Sequence, residues 1–196
     1  MKNEIFKNEL NYIDDNVLRK FIIYCLENAP DYFYTAPASS SGKYHPTQDL
    51  GEGGLIRHTK AVVQVAMDLI RSEQFKIEGI DEKDDIISAC ILHDIIKNGF
   101  TDSGMTLTEH PLLASEFIEQ MYSQWDYKEK SSIWTNKNRI QHLIKSHMGI
   151  WNKDKEGNEI LPLVGEYNPF GKLVHLADYI ASRKYIDMNQ IGLFDK

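Results

Sequence analysis

Apolar residues along this chain recur three and four positions apart, and no stretch shows the alternation of period two that a half-buried strand requires. The pattern predicts an all-α bundle. A first helix covers Asp14 to Asn28, with Val17, Phe21, Tyr24 and Cys25 as its apolar stripe and Pro30 as its stop. A second runs from near Leu55 to about Glu73, with Val62, Val65, Ala66 and Leu69 inward. A third starts near Asp81, where acidic residues suit a helix N-terminus, continues through IISACILHDIIK and closes at Asn98-Gly99. Pro111 opens a fourth, because proline is tolerated in a first helical turn. Asn138 to Met148 makes a fifth with Ile140, Leu143, Ile144 and His147 on one face, and a last helix covers about Pro169 to Tyr185.

Two long polar connections interrupt this pattern. Residues 29–54 hold three prolines, four glycines and the run Ser39-Ser40-Ser41-Gly42-Lys43, and a loop of this size in a compact fold is usually functional. Residues 149–168 read as a surface excursion with room for a short hairpin around Glu156-Gly157-Asn158. The segment SSSGKYHP resembles part of a phosphate-binding loop, but it lacks the earlier glycine and the preceding strand that a P-loop needs. Lys43 and His45 remain candidates for lining a substrate entrance. Tyr32, Phe33 and Tyr34 could stack a nucleobase, but packing at the end of the first helix is the better account of them.

Length and charge narrow the class. The 196 residues fit one domain over 1–196. The 22 Lys+Arg and 29 Asp+Glu give a net charge of −7, a sign that repels polyanions and argues against non-specific nucleic-acid binding. The N-terminal MKNEIFKNELNYIDD lacks the apolar core of a signal peptide, and no run approaches the ~20 apolar residues that span a bilayer. A soluble cytoplasmic protein without a membrane partner is the expectation. Cys25 and Cys90 sit in apolar runs and read as small buried hydrophobes, not as a disulfide.

The chemistry-bearing signal is the doublet His93-Asp94. Helical spacing puts His93 in line with Ala89 and Cys90, and Asp94 in line with Ile87, Cys90 and Ile91, so both face the buried side. An ionised carboxylate there needs a hydrogen-bonding cation or a metal. Other helices supply further donors: His58 in line with Val62 and Val65, His147 continuing the stripe of Ile140, Leu143 and Ile144, Asp178 between Val174 and Ala181, and His110 just before Pro111. A single histidine on an apolar face is more often a hydrogen-bonded core residue than a ligand. Inward His and Asp residues on several helices, converging on a His-Asp doublet, are what a metal site in a bundle core requires.

The order of these residues resembles the HD-domain superfamily of metal-dependent phosphohydrolases. The resemblance rests on GGLIRHTKAV, ILHDIIKNG, EHPLLASE, KSHMGIW and LVHLADYIASR, which together span about residues 53–183. It implies an HD-type helical bundle with long functional loops. His58, His93, Asp94 and Asp178 match the primary metal ligands, and His110 and His147 stand where a second ion finds its histidines. The cofactor implied is one or two divalent ions of Mn, Fe, Co, Ni, Zn or Mg, with Asp94 bridging and also catalytic. Lys97 matches the lysine that often follows the doublet and is a candidate for catalysis and phosphate binding. Arg57 and Arg183, beside His58 and Asp178, are further phosphate candidates, as is Lys43. Met148-Gly149-Ile150-Trp151 after His147 departs from the Gly-Tyr-Pro signature of the superfamily's cyclic-dinucleotide phosphodiesterases.

The expected activity is hydrolysis of a phosphomonoester or phosphodiester in a nucleotide or another small phosphorylated substrate. Two alternatives stay open: a diiron oxygenase built on the same ligand set, and a nucleotide-binding regulatory module without turnover. A homo-oligomer is compatible with the sequence.

Overall fold

The structure is a computed structural model that describes residues 2–75, 77, 79–149, 152–153, 156–159 and 169–184. The expected helix end at Tyr185 and most of the 149–168 excursion lie outside these residues. The described residues form an all-α fold: α1 (Lys7–Leu10), α2 (Asn16–Glu27), α3 (Tyr32–Thr35), α4 (Gly54–Ile70), α5 (Ile80–Leu92), α6 (His110–Gln124), α7 (Trp134–Ser146) and α8 (Pro169–Ala181). Short 3-10 turns at Lys2–Phe6, Thr47–Leu50 and Lys130–Ile133 link them. Lys153 and Glu159 make an isolated antiparallel pairing around Gly157, in keeping with the expected hairpin. None of the described helices is long and apolar enough to cross a membrane.

Local chemistry sets the helix ends. Asp15 caps α2 by accepting hydrogen bonds from the Val17 and Leu18 amides at 2.7 and 2.8 Å. The buried side of α2 is Leu18, Phe21, Ile22, Cys25 and Leu26, with Val17 and Tyr24 only half-buried, so the helix is rotated from the predicted stripe. Phe21 meets Tyr122 edge-on and packs against Trp125, which turns that face inward.

Helix α5 is the centre of the bundle. Every residue from Asp84 to Leu92 is buried, and the helix packs against α4, α7 and α8. It does not run on through Lys97 as its periodicity suggests. It ends at Leu92, and the chain tightens into successive i to i+3 turns: the amides of Ile95, Lys97 and Gly99 donate to the carbonyls of Leu92, Asp94 and Ile96 at 3.1, 3.0 and 3.1 Å. Tyr32 pins the exit, its hydroxyl accepting from the Asn98 amide and donating to the Gly99 carbonyl. The doublet thus sits at the end of the most deeply buried helix.

Helix α7 begins four residues earlier than its apolar pattern predicts. Asn136 and Lys137 interrupt that pattern yet are buried, because Asn136 donates to Asp85 at 2.9 Å and Lys137 pairs with Glu119. Arg139 also pairs with Asp85. Paired polar residues have replaced apolar ones along this face.

Candidate metal centre

Three helix termini and the faces of two further helices bring the His and Asp residues together. His58 lies one turn into α4, His93 caps the C-terminus of α5 and is followed by Asp94, His110 is the first residue of α6, His147 caps the C-terminus of α7, and Asp178 lies in α8. His58, His93, Asp94, His110 and His147 are buried, and the Asp178 side chain keeps 24 % exposure.

Asp94 sits between two sets of donors. Its Oδ2 lies 3.3 Å from His93 Nε2 and 3.8 Å from His58 Nε2, and its Oδ1 lies 3.1 Å from His110 Nε2 and 3.9 Å from His147 Nε2. Asp178 Oδ1 approaches His58 Nε2 at 3.0 Å and His93 Nε2 at 3.8 Å. Two groups of atoms are therefore close enough to hold an ion each: His58, His93 and Asp178, and Asp94, His110 and His147. A third group, His45, Asp49 and His58, adjoins them from the 29–54 loop.

The imidazoles are oriented by the backbone. The Nδ1–H of His93, His110 and His147 donates to the carbonyl three residues earlier, Cys90, Leu107 and Ile144, at 2.8, 2.7 and 2.7 Å. Each carbonyl only accepts, so the proton belongs on Nδ1 and a neutral ring turns an Nε2 lone pair inward. The Nε2 atoms of His110 and His147 are 3.0 Å apart. Two lone pairs at that separation require a positive charge with them. His58 Nε2, His93 Nε2 and Asp94 Oδ1 are also buried without a partner in hydrogen-bonding geometry. A cation satisfies all of these atoms together, and neutral imidazole with carboxylate is a donor set that suits divalent metals.

The electrostatics agree. Burial works against ionised Asp94, but Lys97 and His93 hold its carboxyl well below the usual range. Burial likewise opposes ionised Asp178, and His58 beside it brings it well below that range. Burial, aided by His110 and His93, pushes His147 down to about 3, so the ring stays neutral. For His93, burial is outweighed by the two carboxylates, which raise it. The carboxylates favour positive charge beside them, from a proton or from a metal ion.

A cavity of about 360 Å³ opens onto this cluster. Asp94, Lys97, His110, His147 and Asp178 line its inner end, and Ser39 to Ser41, Tyr44, Tyr179 and Arg183 line its rim. Of the expected phosphate contacts, Lys97 lies deepest, with Nζ 2.5 Å from Asp94 Oδ2. Arg183 stands at the rim. Arg57 is not among the lining residues; its Nε donates to the Gln48 carbonyl at 2.9 Å and ties α4 to the preceding loop. Lys43 is exposed, with Nζ 4.9 Å from the Tyr44 ring centre. Tyr32 and Phe33 are buried and Tyr34 donates to the Leu26 carbonyl, so this trio packs the fold.

The profile of the HD domain family matches residues 55–183, a span that contains all six of the converging His and Asp residues. The chain belongs to the HD domain family. HD domains are typically metal-dependent hydrolases, although some are not catalytic. No curated protein and no solved structure matches the chain. His45 and Asp49 precede the matched span. His45 packs edge-on against His58, 4.7 Å between ring centres, and burial together with His58 and Lys97 pushes it down to about 2. No periodicity marks this pair, since His45 lies in irregular backbone and Asp49 in the short 3-10 turn Thr47–Leu50.

His175 is a further residue of the site, and its contact with the His147 backbone is what the structure adds. One turn before Asp178 on α8, it donates from Nδ1 to the His147 carbonyl at 2.7 Å. Its ring lies over Gly149, where φ is +55° and an added Cβ would fall 2.4 Å from the ring. Gly149→Ala is expected to displace His175 and with it the backbone of His147. The measurement is calorimetric titration with Mn²⁺: loss of about 10-fold or more in affinity for one of two ions is expected, the size seen when groups supporting a ligand are removed. Unchanged binding of both ions would contradict it.

Proposed function

We propose that the protein is a metal-dependent phosphohydrolase that cleaves a phosphomonoester or phosphodiester in a nucleotide or another small phosphorylated compound. The observation that carries the reading is Asp94, which turns one carboxylate oxygen toward His58 and His93 and the other toward His110 and His147. In this reading His58, His93 and Asp178 would hold one ion and His110 and His147 a second, with Asp94 placed beside both groups. Divalent ions such as Mn, Fe, Co, Ni, Zn or Mg supply activation of water and neutralisation of phosphoryl charge in such a centre.

The chain's own residues do the rest. Carbonyl bonds at Nδ1 keep three imidazoles aimed inward before any substrate arrives. Lys97, nearly buried beside Asp94, puts a fixed cation at the inner end of the cavity, where a phosphoryl oxygen would meet it. Arg183 adds a second cation at the rim. The protein's charge of −7 suits a small phosphorylated substrate drawn in locally better than a long polyanion.

The test is elemental analysis of the purified protein followed by phosphate release from nucleoside monophosphates, sugar phosphates and diesters with Mn²⁺, Co²⁺ or Mg²⁺. Two ions per chain and release that a chelator abolishes are expected. Iron with dioxygen uptake and no phosphate release would replace this reading by the oxygenase, and ligand binding without turnover in any metal would replace it by the regulatory module.

A further inference from the structure

The cavity holds more than a phosphoryl group needs. Its volume of about 360 Å³ falls in the range of sites that enclose a whole small molecule, roughly 300–1,000 Å³. Its two ends differ in kind. The inner end is buried and polar, whereas at the rim Tyr44 and Tyr179 leave 46 % and 37 % of their surfaces in water. Between them lies the Arg183 guanidinium, 5.4 Å from the Tyr44 ring centre and 4.1 Å from that of Tyr179. Arg183 is held there by bonds from Nε to the Tyr179 carbonyl at 3.0 Å and from Nη2 to Ser182 Oγ at 2.9 Å.

Leaving two aromatic rings exposed forfeits the stabilisation that burying them would bring, and the fold does not do so elsewhere in this cavity. Phe6, Phe21 and Phe33 are fully buried, and none of the other exposed large apolar residues lines this space. Two tyrosine rings interleaved with a guanidinium plane make a surface for a planar π-system. Stacking on tyrosine and on arginine is open to every nucleobase, because each has a π-face.

We infer that the rim is a base-stacking subsite, so that the substrate class is a nucleoside phosphate with its phosphoryl group at Asp94 and Lys97 and its base against Tyr44, Tyr179 and Arg183. This rests on the phosphohydrolase reading for the inner end. Tyr44 precedes the span that matches the HD domain family, whereas Asp94 and Lys97 lie within it. Tyr179 and Arg183 also lie within that span, so of the three stacking residues Tyr44 alone falls outside it. Tyr32, Phe33 and Tyr34, the aromatic group nearest in sequence, take no part because they are committed to packing.

The experiment compares two ligands that cannot be cleaved, the methylene phosphonate isosteres of AMP and of ribose 5-phosphate, by calorimetric titration into the Mn²⁺-loaded protein. The AMP isostere is expected to bind about 10-fold tighter or more, the scale of one base stacked on an aromatic ring. Tyr44→Ala and Tyr179→Ala should each shrink that preference, while Tyr44→Phe, which keeps the ring, should retain it. Equal affinities for the two isosteres, or a preference untouched in both alanine variants, would overturn the subsite. A tyrosine-dependent preference together with no phosphate release from any nucleoside monophosphate, sugar phosphate or diester in any of the metals would uphold the subsite and overturn the phosphohydrolase reading.

Discussion

Asp94→Ala is expected to bind no divalent metal and to release phosphate only at the background rate, while its helical content stays that of the parent. The effect is large because one side chain serves both groups of donors: Oδ2 faces His58 and His93, and Oδ1 faces His110 and His147. Removing any single histidine takes a donor from one of these two groups, whereas removing Asp94 takes a carboxylate oxygen from beside both. The fold should survive because Asp94 lies beyond the end of α5, in the tight turns that follow it, and α5 is held by its apolar residues from Ile86 to Leu92. Lys97 loses its partner, but it faces the cavity and can regain water there. The sharpest readout is thermal melting with and without Mn²⁺. Metal that binds only the folded chain raises the parent's Tm with concentration, and the variant's Tm should not move. A variant that still holds two ions and turns over would remove the site assignment altogether.

The convergence of these residues was legible because burying His and Asp on apolar helical faces is costly, and several such positions on separate helices have one economical explanation. The helices themselves were legible for the same reason, since periodicity reports which face is buried. It does not report where the backbone tightens. The run IISACILHDIIK is apolar past the point where α5 stops, and the stop is made partly by Tyr32, far away in sequence. Nor could spacing find the start of α7, where Asn136 and Lys137 are buried through partners on α5 and α6. Arg57 sits beside His58 in the sequence but turns toward Gln48, and His175 reaches His147 across 28 positions. The rim followed the same rule: packing of the three consecutive aromatics at the end of the first helix was legible, whereas the exposed pair in the cavity, Tyr44 and Tyr179, comes from a loop and a distant helix.

Gly54→Ala is where sequence and structure predict opposite signs. Gly54 is the first residue of α4, and by helix propensity alone alanine there would stabilise by up to about 1 kcal/mol. In the fold, the start of α4 is seated in the loop before it. The Ala38 amide donates to the Asp49 carbonyl at 2.8 Å, Gly53 donates to Thr35 at 2.9 Å, and Leu55 donates to Ala36 at 3.0 Å. A Cβ on Gly54 would lie 1.9 Å from the Asp49 carbonyl oxygen and 3.0 Å from the Ala38 nitrogen. These are backbone atoms engaged with one another, so no side-chain rotation relieves the contact and the loop must lift from the helix. Overpacking of this kind typically costs about 1–3 kcal/mol, and contact with backbone puts Gly54→Ala at the upper end. At roughly 2–4 °C per kcal/mol for a chain of this size, the Tm should fall by roughly 6–12 °C. The same loop carries Ser39, Tyr44 and His45 into the cavity wall, and His58 follows Gly54 by one helical turn. Lifting it should therefore also weaken substrate binding in the fraction that remains folded. Thermal melting decides the sign: a rise in Tm would mean that helix propensity, not the seat of α4 in its loop, governs this position.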